Sequence, residues 1–278
     1  MVEVLGGICT SHVPAIGAAI ARGAQQQPYW QPFFDGFVPA REWLARKRPD
    51  VAVVVYNDHG LNFFLDKMPT YAIGAAPQYV SSDEGWGIPT VPPVPGDPAF
   101  SWSIIEGVVA AEFDVTTCQE MLIDHAVTIP LQLLWPQGPP PVRIVPVSVN
   151  TVQHPLPSAA RCLKFGRALG SAIRDAEGDA RVVVIGSGGL SHQLDGERAG
   201  MINPGFDKLC LNALVDDPDS LARFTNHELV ERAGTQGVEV LNWIVARGIL
   251  SGVVREVHRN YHIPISNTAS AVQVLEVR

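Results

Sequence analysis

Runs of mostly apolar residues recur along the chain and predict buried β-strands. Six runs carry this pattern, at residues 2–8, 51–56, 143–149, 181–185, 253–257 and 271–277. A strand with one solvated face alternates apolar and polar residues, whereas a strand covered on both faces is apolar throughout. The runs therefore predict a sheet that is partly parallel and covered on both sides.

Between these runs, apolar residues recur at helical spacing. One helix is predicted between Ser158, which can cap its first turn, and Gly178, which lies just past its end. The apolar residues of this helix form a single stripe: Cys162, Phe165, Leu169, Ala172, Ile173 and Ala176. Further helices are predicted at residues 40–47, 102–112, 205–215, 220–232 and 238–247. This alternation predicts an α/β fold, a three-layer α/β/α sandwich with a mixed, partly parallel sheet, in which residues 1–278 form a single domain.

Two segments lack a regular pattern. Residues 74–98 hold five prolines within their last ten positions, and five of the six residues at 136–141 are proline or glycine. A long irregular segment in a compact domain usually serves a function or is covered by a partner chain. The low charged fraction, 17%, is also consistent with an apolar surface that a partner covers.

Composition excludes several classes of protein. Hydrophobic residues make up 46% of the chain, which excludes a disordered chain. The net charge is −8 and there is no run of Lys or Arg, so the sequence predicts no binding to nucleic acid or to anionic membranes. No apolar run reaches the roughly 20 residues of a membrane-spanning helix.

The cysteines and the first residues of the chain indicate the cellular compartment of the protein. Cys9, Cys118, Cys162 and Cys210 are widely scattered, which is typical of reduced thiols in the core of a cytosolic protein. An acidic residue stands third in the chain, and there is no positively charged segment of the kind that begins a secretory signal. We therefore expect a cytoplasmic protein.

Histidines follow three of the predicted strands. His12 comes after the first run, His59 after the second, and His192 after the run at 181–185, while His125 lies in a turn of sequence Ile-Asp-His-Ala. In open α/β sheets, ligands bind in the crevice beyond the carboxyl ends of the strands. The spacing therefore favours a metal or acid–base site there, although a single histidine in such a place is more often structural.

A carboxylate would complete a metal site. Two imidazoles and one carboxylate form the ligand set of non-haem Fe(II) enzymes that activate oxygen, and this set leaves positions open for substrate and O2. Spacing alone leaves five candidates open, namely Asp58, Asp83, Glu84, Asp124 and Glu239. A zinc hydrolase with the same ligands is an alternative, although the His-Glu-x-x-His motif typical of such enzymes is absent.

Seven motifs resemble those of the class III, LigB-type extradiol catechol dioxygenases, and the resemblance runs from about Gly6 to the carboxyl terminus. The motifs, in chain order, are Thr-Ser-His-Val-Pro-Ala-Ile-Gly, Val-Val-Tyr-Asn-Asp-His, Asp-Glu-Gly-Trp-Gly, Asp-His-Ala-Val-Thr-Ile-Pro, Gly-Gly-Leu-Ser-His-Gln-Leu, Gly-Val-Glu and Tyr-His-Ile-Pro-Ile-Ser-Asn-Thr-Ala. Within the family the likeness is strongest to catalytic β subunits that cleave protocatechuate at the 4,5 bond. Some relatives keep this fold as binding proteins, but such proteins should have lost metal ligands.

The resemblance implies roles for four residues at the metal. His12, His59 and Glu239 are the implied Fe(II) ligands, and His192 is the implied acid–base catalyst that accepts a phenolic proton. The implied reaction opens a carboxylated catechol with O2 in aromatic and lignin catabolism. Gallate, a methylated gallate or a catechol without a carboxylate remain alternative substrates.

The resemblance also implies substrate and partner contacts. His125 is expected near a substrate hydroxyl, Ser266 near the substrate carboxylate, and Asn57 in the substrate-binding group. Gallate-type relatives carry a small helical segment fused to the catalytic domain, which this sequence lacks. We therefore expect a separate small helical α subunit and an α2β2 assembly.

Overall fold

The computed structural model describes residues 1–85 and 87–278, so Trp86 of the Asp-Glu-Gly-Trp-Gly motif lies outside the described residues. The strands of the described residues, β1 to β11 in chain order, are Glu3–Thr10, Val51–Tyr56, Tyr71–Gly74, Gln78–Ser81, Val94–Pro95, Thr116–Cys118, Leu122–Ile123, Arg143–Val149, Arg181–Ser187, Val254–Ile265 and Thr268–Val277. The α-helices, α1 to α10, are Pro14–Ala21, Gln31–Asp35, Val38–Lys47, Pro98–Ala110, His125–Leu134, Ala159–Asp175, Pro204–Asp216, Pro218–Leu221, Asn226–Ala233 and Val240–Leu250. Short 3₁₀ turns lie at Ala24–Gln26 and Gly237–Glu239.

Eight strands form one mixed sheet in the order β10-β11-β1-β9-β2-β8-β3-β6. The central strands β1, β9, β2 and β8 are neighbours and run parallel. At the flanks, β11 is antiparallel to β1 and β3 is antiparallel to β8. The carboxyl ends of four parallel strands therefore meet along one edge of the sheet.

Helices cover both faces of this sheet, as the apolar runs predict. Val53 of β2 belongs to a core that includes Phe165 of α6 and Ile244 of α10. Its neighbour Val54 points to the opposite core, which includes Trp43 of α3 and Ile8 of β1. Successive strand residues face opposite sides of a sheet, so both faces of β2 are buried. The predicted α/β class, with a mixed, partly parallel sheet between helices, is confirmed.

The packing of α10 against α6 depends on glycine. A Cβ atom added to Gly166 would overlap the carbonyl oxygen of Val245, and one added to Gly248 would lie 2.7 Å from the carbonyl oxygen of Leu163. The two helices therefore approach at backbone contact distance. Because α10 begins directly after Glu239, this packing fixes the position of that carboxylate over the end of the sheet.

The structure corrects part of the sequence prediction. The single helix predicted at 220–232 is two helices, because Thr225 and Glu228 form a capping box that starts α9 anew. Residues 74–98, predicted to be irregular, contain β4 and β5. The sequence does not predict helices α1, α2 and α5. They are short and lack the long apolar stripe by which helices are recognised in a sequence.

Candidate active site

A cavity of about 550 Å³ lies at the carboxyl ends of the parallel strands. The loop after β1 contributes His12, the loop after β2 contributes His59, and the loop after β9 contributes His192. All seven site residues predicted from the sequence line this cavity: His12, Asn57, His59, His125, His192, Glu239 and Ser266.

Two of the histidines converge on one carboxylate oxygen of Glu239. Glu239 Oε1 lies 3.5 Å from His12 Nε2 and 3.6 Å from His59 Nε2. The two imidazole rings stand edge to face with their centroids 5.1 Å apart. Glu239 is 7% exposed and His12 is 5% exposed, whereas the His59 side chain is 27% exposed, so the carboxylate meets one buried and one partly exposed imidazole.

The second ring nitrogen of His12 is held by a serine. His12 Nδ1 lies 2.9 Å from Ser187 Oγ, and the Ser187 hydroxyl donates to the Ala126 carbonyl oxygen at 2.5 Å. A hydroxyl has one proton, so Ser187 must accept from His12 Nδ1. The Ala126 carbonyl is free because its helical partner four residues on is Pro130, which has no N–H. These two hydrogen bonds place the proton of a neutral His12 on Nδ1 and the lone pair on Nε2.

An aspartate holds His59 in the same way. Asp124 Oδ2 accepts from the His59 backbone N–H at 2.9 Å and lies 3.0 Å from His59 Nδ1. Asp124 Oδ1 caps α5 by accepting from Ala126 N. His59 Nε2 is thereby directed towards Glu239.

Both oxygens of Glu239 have protein partners. Oε2 accepts from the Gly189 backbone N–H at 2.9 Å, and Oε1 accepts from Asn57 Nδ2 at 3.2 Å. The amide of Asn57 is itself oriented by Asn242, whose Nδ2 donates to Asn57 Oδ1 at 2.9 Å. Asn57, predicted to bind substrate, thus lines the cavity while its amide nitrogen contacts the shared carboxylate.

Burial and pairing shift the pKa values of the three groups. Burial alone would raise the pKa of Glu239, but the adjacent His12 and His59 hold it well below its usual value. Burial lowers the pKa of His12. Burial also opposes protonation of His59, but its hydrogen bonds to Asp124 and Glu239 outweigh burial and raise its pKa to about 10. The site therefore keeps a carboxylate ionised within reach of two imidazole nitrogens.

This arrangement fits a divalent metal ion. With metal–ligand bonds of about 2.1 Å, two adjacent ligands of one metal lie roughly 3.0–3.5 Å apart. The distances from Glu239 Oε1 to the two Nε2 atoms fall close to this range. Histidine ligands in metal sites donate their other N–H to an oriented acceptor, which is what Ser187 and Asp124 provide.

The other four candidate carboxylates have different partners. Asp58 accepts from four consecutive backbone amides and so shapes the loop after β2. Asp83 accepts from Gly85 N in an exposed loop, Glu84 binds His125, and Asp124 orients His59. Glu239 is the candidate that faces both Nε2 atoms.

His125 forms a third imidazole beside the pair. Its ring centroid lies 4.2 Å from that of His59 and 5.3 Å from that of His12, and the three residues form a group that could hold a metal ion. Glu84 contacts both its backbone N–H and Nδ1, each at 2.7 Å. The structure thus brings His125 to the cluster at the first residue of α5.

His192 lies in the wall of the cavity, 8% exposed. Its Nδ1 lies 2.9 Å from the carbonyl oxygen of Leu190. A carbonyl can only accept, so Nδ1 carries the proton and a neutral His192 has its lone pair on Nε2. Such an imidazole can accept a proton from a bound ligand.

The rest of the described lining is uncharged and includes polar residues, such as Ser266, and apolar residues, such as Val152 and Leu194. Ser266 lies in the turn between β10 and β11, where its backbone N–H donates to Tyr29 Oη. Among the lining residues that the structure describes there is no Lys or Arg. Sequence reasoning missed Thr151, which lines the cavity at the end of β8. The strand-end rule that selects His59 would have selected it as well.

The fold and site define an α/β protein with a two-histidine, one-carboxylate group at the ends of its parallel strands. Residues 6–271 match the family described as the catalytic LigB subunit of aromatic ring-opening dioxygenase. The chain belongs to the LigB family of aromatic ring-opening dioxygenases. Members of this family are metal-dependent, and the histidine cluster could supply the metal site here.

Two relatives illustrate the range of the family. The chain is 39% identical over 198 residues to a gallate dioxygenase of Pseudomonas putida, an alignment that covers 71% of this chain and 58% of that protein. It is 29% identical over 289 residues to a 2,3-dihydroxyphenylpropionate/2,3-dihydroxicinnamic acid 1,2-dioxygenase of Rhodococcus jostii, with 88% of each chain covered. The chain thus spans little more than half the length of the gallate enzyme.

Among solved structures, the uncharacterized protein JW3007 from Escherichia coli K12 has the same fold. It superposes with a TM-score of 0.56 at 15% identity, covering 97% of this chain and 99% of the other. Within the described residues, no helix is long and apolar enough to cross a membrane.

Proposed function

We propose that this chain is a single catalytic domain, residues 1–278, of an Fe(II)-dependent extradiol dioxygenase. Its proposed reaction is the 4,5-cleavage of protocatechuate, a carboxylated catechol, to 4-carboxy-2-hydroxymuconate semialdehyde. The observation that carries the proposal is Glu239 Oε1 within 3.6 Å of the Nε2 atoms of both His12 and His59. This is the facial ligand set of oxygen-activating non-haem iron sites.

The residues around the metal have separable tasks in this proposal. His12, His59 and Glu239 hold Fe(II), which supplies the one-electron chemistry that lets O2 react with an aromatic ring. His192 accepts a proton from a substrate hydroxyl at Nε2 and returns it to the opening ring. Its main-chain contact with Leu190 keeps that nitrogen unprotonated and ready in the neutral form.

The substrate is placed by neutral groups. His125 contacts a ring hydroxyl, while Ser266 and Asn57 complete the substrate-binding wall. With no described cation in the lining, a ring carboxylate would be bound by hydroxyl and amide donors. A cavity of about 550 Å³ is of the size that usually holds one small ligand.

Gallate is the second candidate substrate. The observation that favours it is the 39% identity to a gallate dioxygenase over 71% of this chain. Gallate differs from protocatechuate by one additional ring hydroxyl, and the neutral donors of the cavity suit either molecule.

A small helical α subunit is the proposed partner, in an α2β2 assembly in the cytoplasm. Two apolar side chains that line the cavity, Val152 and Leu194, are 56% and 52% exposed. Large exposed apolar side chains beside an active site favour a covering chain. Such a cover would exclude water from the reacting groups.

A substrate panel tests the activity. The protein is loaded with Fe(II) without oxygen, then mixed with O2 and protocatechuate, gallate, a methylated gallate or catechol. Oxygen uptake and a yellow ring-opened product are expected with a carboxylated catechol. The Zn(II)-loaded protein is the control, because hydrolytic activity with zinc and no oxygen uptake with iron would instead favour a zinc hydrolase.

A further inference from the structure

Glu84 binds His125 with both carboxylate oxygens. Oε1 accepts from the His125 backbone N–H, Oε2 lies next to His125 Nδ1, and each distance is 2.7 Å. The side chains are 12% and 3% exposed. A bidentate pair that is shielded from water holds its geometry, unlike an exposed ion pair.

This contact determines which nitrogen of His125 carries a proton. A carboxylate can only accept, so Nδ1 is the donor and the lone pair of a neutral imidazole lies on Nε2. His125 lines the cavity beside the rings of His12 and His59. In the neutral form of His125, Nε2 is therefore an acceptor.

We propose that Glu84 is a positioning residue of the active site, which keeps the His125 proton on Nδ1 so that Nε2 accepts a hydrogen bond from a hydroxyl of the aromatic substrate. The inference rests on the proposed function and deepens it, because it assigns a task to the segment 74–98. That segment reaches the site through a side chain, and the same carboxylate lies at the positive end of α5, where an anion is stabilised.

The two imidazoles outside the proposed ligand set of His12, His59 and Glu239 are thus oriented by different kinds of group. His192 is oriented by a main-chain carbonyl, which no substitution removes. His125 is oriented by a side chain, so a substitution can reverse which of its nitrogens carries the proton. The proposal can therefore be tested by replacing one oxygen of the Glu84 carboxylate.

The Glu84→Gln variant replaces one carboxylate oxygen with an NH2 group of the same shape. Its remaining oxygen can accept from the His125 backbone N–H, and its NH2 can donate to Nδ1 only if Nδ1 gives up its proton. Both hydrogen bonds survive, but the His125 proton moves to Nε2. Nε2, the nitrogen proposed to meet the substrate hydroxyl, then changes from acceptor to donor.

Two measurements follow this change. Two-bond 1H–15N spectra of 15N-histidine-labelled, metal-free protein should show the Nδ1–H form of His125 in the wild type and the Nε2–H form in Glu84→Gln. With Fe(II) and protocatechuate or gallate, kcat/KM should fall about 100-fold, the lower part of the range for proton-handling groups. Metal affinity should stay unchanged, and Glu84→Asp should retain the Nδ1–H form.

Asp83→Asn is the matched control, because it removes the same charge from the adjacent residue, which contacts Gly85 and not His125. It should keep both the tautomer and the wild-type rate. A wild-type His125 protonated on Nε2, or a folded Glu84→Gln protein with kcat/KM within three-fold of wild type, would overturn the proposal. If the wild type cleaves no catechol, the proposed function fails, while the spectra still decide the position of the proton.

Discussion

Ser187→Ala should weaken metal binding although it removes no metal ligand. Ser187 Oγ accepts from His12 Nδ1 and donates to the Ala126 carbonyl oxygen. Without the hydroxyl, His12 can carry its proton on either nitrogen and can rotate. Removing such an outer partner typically costs 10- to 100-fold in metal affinity, which corresponds to about 1.4–2.8 kcal/mol.

The same substitution should lower the stability of the metal-free protein. The His12 N–H and the Ala126 carbonyl would both lose a partner in a buried place, and each loss costs about 1–3 kcal/mol. We therefore expect the free energy of unfolding to fall by at least about 2 kcal/mol. Urea unfolding measures this change, and anaerobic competition with a metal chelator measures the affinity.

Ser101→Ala is the control for this experiment. Ser101 is also fully buried, but its hydroxyl has no hydrogen-bond partner among the described residues. Its removal should leave metal affinity unchanged and should not destabilise the protein. A folded Ser187→Ala protein that binds metal as tightly as wild type would refute the role of the hydrogen bond from His12 to Ser187.

The other predictions concern the ligands, the base and the partner. His12→Ala, His59→Ala and Glu239→Ala should each abolish iron retention, because three protein ligands leave no redundancy; full iron occupancy in any of them, measured by metal analysis, would contradict that assignment. His192→Ala should keep iron and substrate binding but lose roughly 10² to 10⁴ in kcat, and a rate within a few-fold of wild type would place the base elsewhere. Adding a small helical subunit should raise turnover and change the mass measured by light scattering, whereas a monomer with full turnover alone would exclude the partner.

The sequence predicts the positions of His12, His59 and His192 because strand ends converge in any parallel sheet. It leaves the carboxylate open, since five acidic residues satisfy the same local criteria. Only the resemblance to the family singles out Glu239 in the sequence; in the structure it is the packing of α10, which depends on glycine contacts between distant segments, that places Glu239 beside the histidines. The partners Ser187, Asp124 and Glu84 are paired with residues far away in the chain, and no local pattern encodes such pairs.

The site is assembled from strand ends that are distant in sequence, so it cannot exist in the unfolded chain. His12, His59 and Glu239 belong to three segments that only the finished sheet and α10 bring together. A metal ion that binds the folded state alone would therefore shift the folding equilibrium, by about 2.7 kcal/mol at a free concentration 100 times its Kd. In that case the availability of the metal in the cell would set the lifetime of the protein as well as its activity.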